Sequence, residues 1–332
     1  MLKKAYLCTA NYAYARMKLF LFLKNWTLPV AMCTGASSYL ILSRLPLSEG
    51  FKSATHAVVD ILQPTLIFSM LFITFCKINV RDLRPKMWHA WALLFQVLIF
   101  GLLALPLMIW PQMPGRVVLE GAMLCFICPT ATAAAVITQK LGGNPASLTT
   151  YVILINLAAA LCIPMIIPLV VEHSEATFLT SFLSIMSKVF PLLFCPFVAA
   201  QIIRRYMPTV LRAVLYYKDL AFYQWAVALS MAIAVTTRSL VHSEISWVYE
   251  VGIALASLVA CAVQFAIGRC IGLRYSDRLA AAQGMGQKNT VFAIWMGYTF
   301  LTPVTSIAGG FYSIWHNVYN SYQLYQHRKA QG

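Results

Sequence analysis

Gly284-Met285-Gly286-Gln287-Lys288-Asn289 interrupts a stretch, near residues 279–301, that is otherwise apolar enough to cross a bilayer. Two glycines, two amides and a full positive charge would sit together inside the hydrocarbon. A lysine near the bilayer centre costs roughly 2.5–3.5 kcal/mol on insertion scales, and unwound backbone survives there only against protein or water. A second break, Cys128-Pro129-Thr130-Ala131-Thr132, lies in the first half of the chain. Two interrupted segments at corresponding places in two halves mark a substrate site in a secondary transporter.

Composition agrees with a membrane setting. The chain is 60% apolar and 11% charged, where a soluble domain carries about 25% charged residues. Apolar runs of about 20 residues predict ten spans, near 28–47, 55–77, 87–110, 117–140, 146–171, 177–204, 215–240, 246–272, 279–301 and 304–326. The loops between them are too short for a soluble domain.

The formal charge of +15 is explained by position. Nineteen of the 25 Lys and Arg residues fall in one alternate set of ends and loops, from Lys3 through Lys77–Lys86, Lys140, Arg204–Lys218 and Arg269–Arg278 to Arg328 and Lys329. The opposite set holds Arg44, Lys52, Arg116 and Arg238 beside most of the glutamates. This is the positive-inside asymmetry; it places both termini in the cytoplasm and excludes a nucleic-acid surface. Residues 1–26 lack a secretory apolar core and cleavage site and read as an amphipathic segment on the cytoplasmic face of the inner (plasma) membrane. Cys125-x-x-Cys128 has no second pair or ligand histidine and reads as packing rather than a metal or redox site.

The link Glu172–Thr177 divides the ten spans five and five. An odd number per half makes the second half enter from the opposite side, so a repeat must be inverted. Gln96 and Gln264 occupy similar places in the third and eighth spans, each followed by a glycine, and the fourth and ninth spans carry the breaks. The fold expected is therefore an all-α membrane protein of about ten transmembrane helices in two inverted five-helix repeats. Prolines inside spans kink helices, but Pro129 is expected at the first turn of a new half-helix whose free N–H groups face a ligand.

Lys288 admits three roles: pairing with a hidden carboxylate, binding an anionic substrate, or replacing a bound cation. Within spans only Asp60, Asp219 and Glu250 could pair with it, all nearer the ends than the middle. Lys188 is a second intramembrane lysine. Asp60 and His56 could form a proton-sensitive pair. Gln96 and Gln264 are costly if unsatisfied and suit interhelical hydrogen bonds. Thr130, Thr132 and Thr138, with Thr149, Thr150 and Asn156, offer oxygens for a hard cation or a carboxylate substrate. No Walker A loop, His-Glu-x-x-His, G-x-S-x-G or EF-hand loop occurs, so nothing points to an enzyme or an ATP-driven pump.

Three stretches resemble the bile acid:sodium symporter family. Cys128-Pro129-Thr130-Ala131-Thr132-Ala133 with Gly143-Asn144 is similar to the family's Cys-Pro-Gly-Gly-Thr segment and its following turn. Arg274-Tyr275-Ser276-Asp277-Arg278 leading to Gly286-Gln287-Lys288-Asn289 resembles the charged loop before its second crossover helix. Ser313-Ile314-Trp315-His316-Asn317 resembles its Trp-His-Asn signature in the last span, and Gln96 sits where the family has a glutamine. The resemblance implies a core (spans 3–5 and 8–10) moving against a panel (spans 1, 2, 6 and 7) within residues 27–332, with broken crossover helices in spans four and nine. It also implies transport of organic anions such as bile acids and small carboxylates, usually with sodium.

This chain departs from that pattern. Ala134 and Ala135 stand where the family has a Ser-Asn pair that supplies sodium ligands, Gly284 where it has Glu, and Lys288 where it has Gln. Oxygen ligands for a hard cation are lost and an ammonium is gained. The expected substrate site is Thr132, Gln287, Lys288 and Asn289, with Gln96, Lys288, Thr149 and Thr150 at the ion or coupling site. Lys288 stands in for the coupling cation, making transport either sodium-independent or coupled to Lys288 protonation. A sodium symporter with displaced ligands and a non-transporting ligand receptor are the alternatives. The partners implied are a small organic anion and the lipid bilayer, with no cofactor.

Overall fold

A computed structural model describes residues 27–46, 48–171, 177–217 and 219–331. The amphipathic reading of residues 1–26 and most of the link Glu172–Thr177 lie outside the described residues. Among those described the protein is all-helical, with no strand. Its helices are α1 (Thr27–Arg44), α2 (Glu49–Cys76), α3 (Met87–Ile109), α4 (Arg116–Ile127), α5 (Ala134–Lys140), α6 (Pro145–Val170) and α7 (Phe178–Leu193). They continue with α8 (Cys195–Tyr206), α9 (Pro208–Tyr216), α10 (Leu220–Val241), α11 (Trp247–Arg274), α12 (Arg278–Gly286), α13 (Thr290–Phe300) and α14 (Ile307–Gln331).

Local chemistry sets several of these boundaries. Asn144 caps α6 by accepting from the backbone N–H groups of Ala146 and Ser147, both at 3.1 Å, while Pro145 takes the first helical position, where no N–H is needed. Ser48 caps α2 through the Phe51 N–H at 3.3 Å. The expected span 177–204 is present as one apolar segment, Phe178–Tyr206, divided into two helices at a single residue. Phe194 joins them, with Pro191 before it and Pro196 in the first turn of α8; each proline removes one backbone donor, while the Phe194 N–H still reaches the Phe190 carbonyl at 2.9 Å. The expected span 215–240 also starts later, because residues 208–216 form the separate helix α9.

Among the described residues, six segments are long and apolar enough to cross a membrane: α2, α3, α6, α7 with α8, α10 and α11. The rest of the expected ten would come from α1, the two broken pairs α4–α5 and α12–α13, and α14. The broken pairs fail on helix length. The last helix is long, but Ser313, His316, Asn317, Asn320 and Gln323 make it polar.

Packing gathers these weaker segments inside the stronger ones. Helix α12 lies against α11 and is flanked by α3, α5 and α6, while α4 is held by α3, α11 and α14. Small residues allow the closest of these approaches. A Cβ at Gly268 on α11 would come within 2.5 Å of the Ala281 carbonyl oxygen of α12, and one at Gly272 within 2.8 Å of the Ala281 Cβ. Such spacing of small residues lets membrane helices meet at backbone distance. Separately, α1 runs along α10, and α2 packs on α8 and α10.

Candidate functional site

The two breaks meet. Helix α4 ends at Ile127 and α5 begins at Ala134; α12 ends at Gly286 and α13 begins at Thr290. Across the gap the Ala131 N–H donates to the Gln287 carbonyl and the Asn289 N–H to the Pro129 carbonyl, both at 2.8 Å. Thr130 and Lys288 thus face each other in a one-step antiparallel pairing. Pro129 is not at the first turn of a half-helix as expected. The helix restarts five residues later, and the Pro129 carbonyl is used in the crossing instead.

Lys288 is 1% exposed. Its ammonium donates to the Phe126 carbonyl at 3.2 Å, in the last turn of α4, where carbonyls lack helical partners and carry partial negative charge. No ion pair among the described residues includes it. The hidden-carboxylate role therefore has no partner here, and the ammonium sits as a cation would, against a helix C-terminus. On the neighbouring strand of backbone, the Cys128 thiol donates to the Asn289 carbonyl at 3.0 Å.

A hydrogen-bonded chain of four side chains holds the crossing. The Tyr151 hydroxyl donates to the Gln96 side-chain carbonyl, the Gln96 amide donates to Gln264 at 2.9 Å, and Gln264 donates to the Tyr312 hydroxyl at 3.1 Å. Tyr312 in turn donates to the Gly286 carbonyl at 2.8 Å, at the last residue of α12. Gln264 also reaches the Cys125 carbonyl at 3.2 Å, so the chain touches both half-helix ends. Thr130 closes a further α12 carbonyl, that of Gly284. Neither tyrosine was singled out from sequence, although they occupy matching places in the fifth and last spans and carry hydroxyls into apolar runs.

Tyr151 also explains Gly284. A Cβ at position 284 would lie 2.9 Å from the Tyr151 ring, so the ring fills the space a longer side chain would need. Of the other expected residues, Gln287 is buried with its side-chain oxygen unpartnered. The Asn289 side chain is spent capping α13 through the Phe292 N–H at 3.2 Å. Thr132 is half-buried in the first linker. Thr150 is buried with its hydroxyl bonded to Ala146 of its own helix at 3.2 Å, and Thr149 is half-buried.

Each end of this region is tied down. At the basic end, Asp277 accepts from Lys86, from the Trp88 indole at 3.1 Å and from Ser147 at 2.9 Å. At the other end, buried Glu120 accepts from Arg116 and from the Thr305 hydroxyl, both at 2.7 Å. Arg116 also donates to the carbonyls of Pro111, at 2.8 Å, and Val170.

Two cavities flank the crossing. One, of about 940 Å³, opens at the basic end beside Lys86, Arg269, Asp277, Gln323 and His327. The other, of about 810 Å³, lies between α2, α7 and α13, against Asp60, Phe68, Lys188, Trp295 and Tyr298. Lys188 sits 5.7 Å from the centre of the Phe300 ring, a cation–π distance. Asp60, which the sequence offers either to His56 or to a solvated mouth, lines this cavity. His56 faces Arg238 at 2.9 Å, and Arg238 also donates to the Tyr298 hydroxyl at 3.1 Å.

Residues 52–325 match the SBF-like CPA transporter family (DUF4137). The chain belongs to that family. Both breaks, the glutamine pair and the cavity beside Lys188 fall within the matched region, and the family is bile acid:sodium symporter-like, as the three motif stretches imply. This SBF-like protein is thus a member of a membrane-transporter family. No curated protein matches the chain. The sodium-ligand set implied by the resemblance does not fit its residues: Ala134 and Ala135 lack side-chain oxygens, Tyr151 crowds Gly284, and an ammonium occupies position 288. Among the described residues no group of three His, Cys, Asp or Glu could hold a metal ion.

Proposed function

We propose that this SBF-like protein is a secondary transporter for a small organic anion, working by alternating access, with Lys288 in the place of a coupling cation. The observation that carries this reading is the burial of Lys288 against the Phe126 carbonyl at the crossing of two broken helices. A fixed ammonium there supplies the charge that a bound cation would supply, without depending on its concentration.

The inverted repeat is supported by the packing. Exchanging the two halves carries the contact of α1 with α10 onto that of α2 with α7 and α8, α3 with α4 onto α11 with α12, and α3 with α6 onto α11 with α14. The proposed panel (α1, α2, α7, α8 and α10) meets the proposed core across the cavity that holds Lys188. There the cationic side chain and the aromatic faces of Trp295 and Tyr298 suit an anion with an apolar body. By the positive-inside rule the basic end faces the cytoplasm with both termini, and this cavity faces outward.

Purified protein screened for thermal stabilisation by carboxylates and sulfonates, in sodium and in potassium, tests the proposal. The expected result is stabilisation by the same ligands in both salts, with Lys288→Gln weakening it. Stabilisation that requires sodium would remove the stand-in role. Proteoliposomes that exchange none of the bound ligands would remove transport.

A further inference from the structure

Burying a polar atom without a partner is costly, so the positions of such atoms carry information. Four of the ten unpartnered buried side-chain atoms among the described residues belong to Gln283, Gln287, His316 and Asn320. The first two are four residues apart on α12 and at its end, and the other two are four apart on α14. All four side chains are more than nine-tenths buried.

Two bonds between the helices show that these residues form one seam. Tyr312 reaches the Gly286 carbonyl at 2.8 Å, and Gln283 reaches Asn320 at 2.9 Å. His316 lies between Tyr312 and Asn320 on α14, so these contacts bracket it, and its ring packs edge-on to Tyr312 at 5.6 Å. One turn further, Gln283 donates to Gln323 at 2.8 Å. Gln323 in turn lines the large cavity at the basic end, with His327 beyond it. His316, Asn320, Gln323 and His327 recur at the i, i+4, i+7 spacing of a single helix face. This polar face therefore runs without interruption from the crossing to an open cavity.

Turning the amide of Gln283 or Asn320 exchanges which atom is bare but does not remove the shortfall. The bare set mixes donors with acceptors, which suits water rather than a metal ion; buried waters take about three hydrogen bonds each from such groups. The one titratable side chain among the four is His316. The Tyr312 ring is in contact with it; the helices packed on α14 carry Cys261 and Arg269 on α11, Arg116, Glu120 and Cys125 on α4, and Tyr298 on α13, with Lys288 just ahead of α13. Helix α10 contributes Arg238, at the opposite end, and α12 presents the uncharged Gln283 and Gln287.

We propose that the seam between α12 and α14 is a hydrated route by which protons pass between the cytoplasmic cavity and the crossover, with His316 the group that takes up the proton. The direction assigned to the cavity, and the use of the proton in coupling, rest on the transporter reading; the hydration and titration do not.

Radiolytic hydroxyl labelling of the unaltered protein in nanodiscs, read by peptide mass spectrometry, reports water beside buried side chains. The expected result is modification of His316, with Phe100, equally buried on α3, left unmodified. A His316 as silent as Phe100 would overturn the route, and since no variant is used, misfolding cannot mimic that outcome. Ring-nitrogen NMR of isotope-labelled histidine, with the His316 signal assigned by its loss in His316→Gln or His316→Asn, should show titration within about pH 5–8. A labelled but non-titrating His316 would overturn its role as proton carrier. A dry seam in a protein that exchanges anions would leave the transport proposal standing. A hydrated, titrating seam in one that exchanges nothing would remove transport and keep the seam.

Discussion

Gln96 of α3 and Gln264 of α11 donate and accept across 2.9 Å at 0% exposure each. Every other polar atom of the pair is also used, by Tyr151, Tyr312 and the Cys125 carbonyl. Removing one partner leaves the other's amide stranded in an apolar interior, which costs about 1–3 kcal/mol beyond the lost bond. Gln96→Leu or Gln264→Leu should each lower the melting temperature of the purified protein. The double variant should lose clearly less than the sum, because neither amide is then stranded. Strict additivity would show that the two side chains do not interact.

Gly284→Ala tests the fit of the Tyr151 ring. The new methyl would sit 2.9 Å from the ring, and overpacking of this kind typically costs about 1–3 kcal/mol. Tyr151→Leu in the same chain should recover part of that loss even though it removes the bond to Gln96. A melting temperature unchanged by Gly284→Ala would show that the ring yields freely.

Arg116 and Glu120 form the ion pair at the end opposite the basic loops. Glu120 is 3% exposed, and deleting the partner of a buried charge costs about 3–5 kcal/mol. Arg116→Met should therefore be far more damaging than Arg116→Met combined with Glu120→Gln, measured as the fraction of protein that elutes monodisperse after heating. Equal damage in the two would mean that Arg116 acts through its backbone carbonyl contacts alone.

Lys188→Gln should weaken binding of the best-stabilising anion by roughly tenfold, the loss of one charge-assisted contact worth about 1.4 kcal/mol. Lys188→Arg should retain most of the affinity. Calorimetric titration distinguishes these outcomes, and unchanged affinity in Lys188→Gln would place the anion elsewhere.

Much of the architecture was visible in the one-dimensional pattern, because apolar length and unwound polar interruptions are local properties. The existence of the two breaks was readable for that reason, as was the polar pairing role of Gln96 and Gln264, but the second is shorter than Gly284–Asn289: Gly284-Met285-Gly286 is the last turn of α12, and only Gln287–Asn289 is unwound. What Lys288 touches was not, since the Phe126 carbonyl is a backbone atom 162 positions away and leaves no trace in residue type. Tyr151 and Tyr312 were missed because aromatic residues in a span are usually read as apolar. The split at Phe194 was missed for the opposite reason: Pro191 and Pro196 looked like two of the many prolines that merely bend a membrane helix.

The division between six apolar segments and the remaining helices bears on how the chain is made. A translocon sorts each segment into lipid by its own hydrophobicity, and neither α14 nor the half-helices around the crossing meet that standard alone. Lys288 and Thr130 find their partners on the half-helices themselves, at the Phe126 and Gly284 carbonyls, and Gln283 of α12 meets the polar face of α14, so these segments are expected to enter together, beside helices already inserted. The part of the chain that holds Lys288 is therefore also the part whose biogenesis depends on its neighbours, and a substitution in α3 or α11 could erase the site before the protein ever meets a ligand.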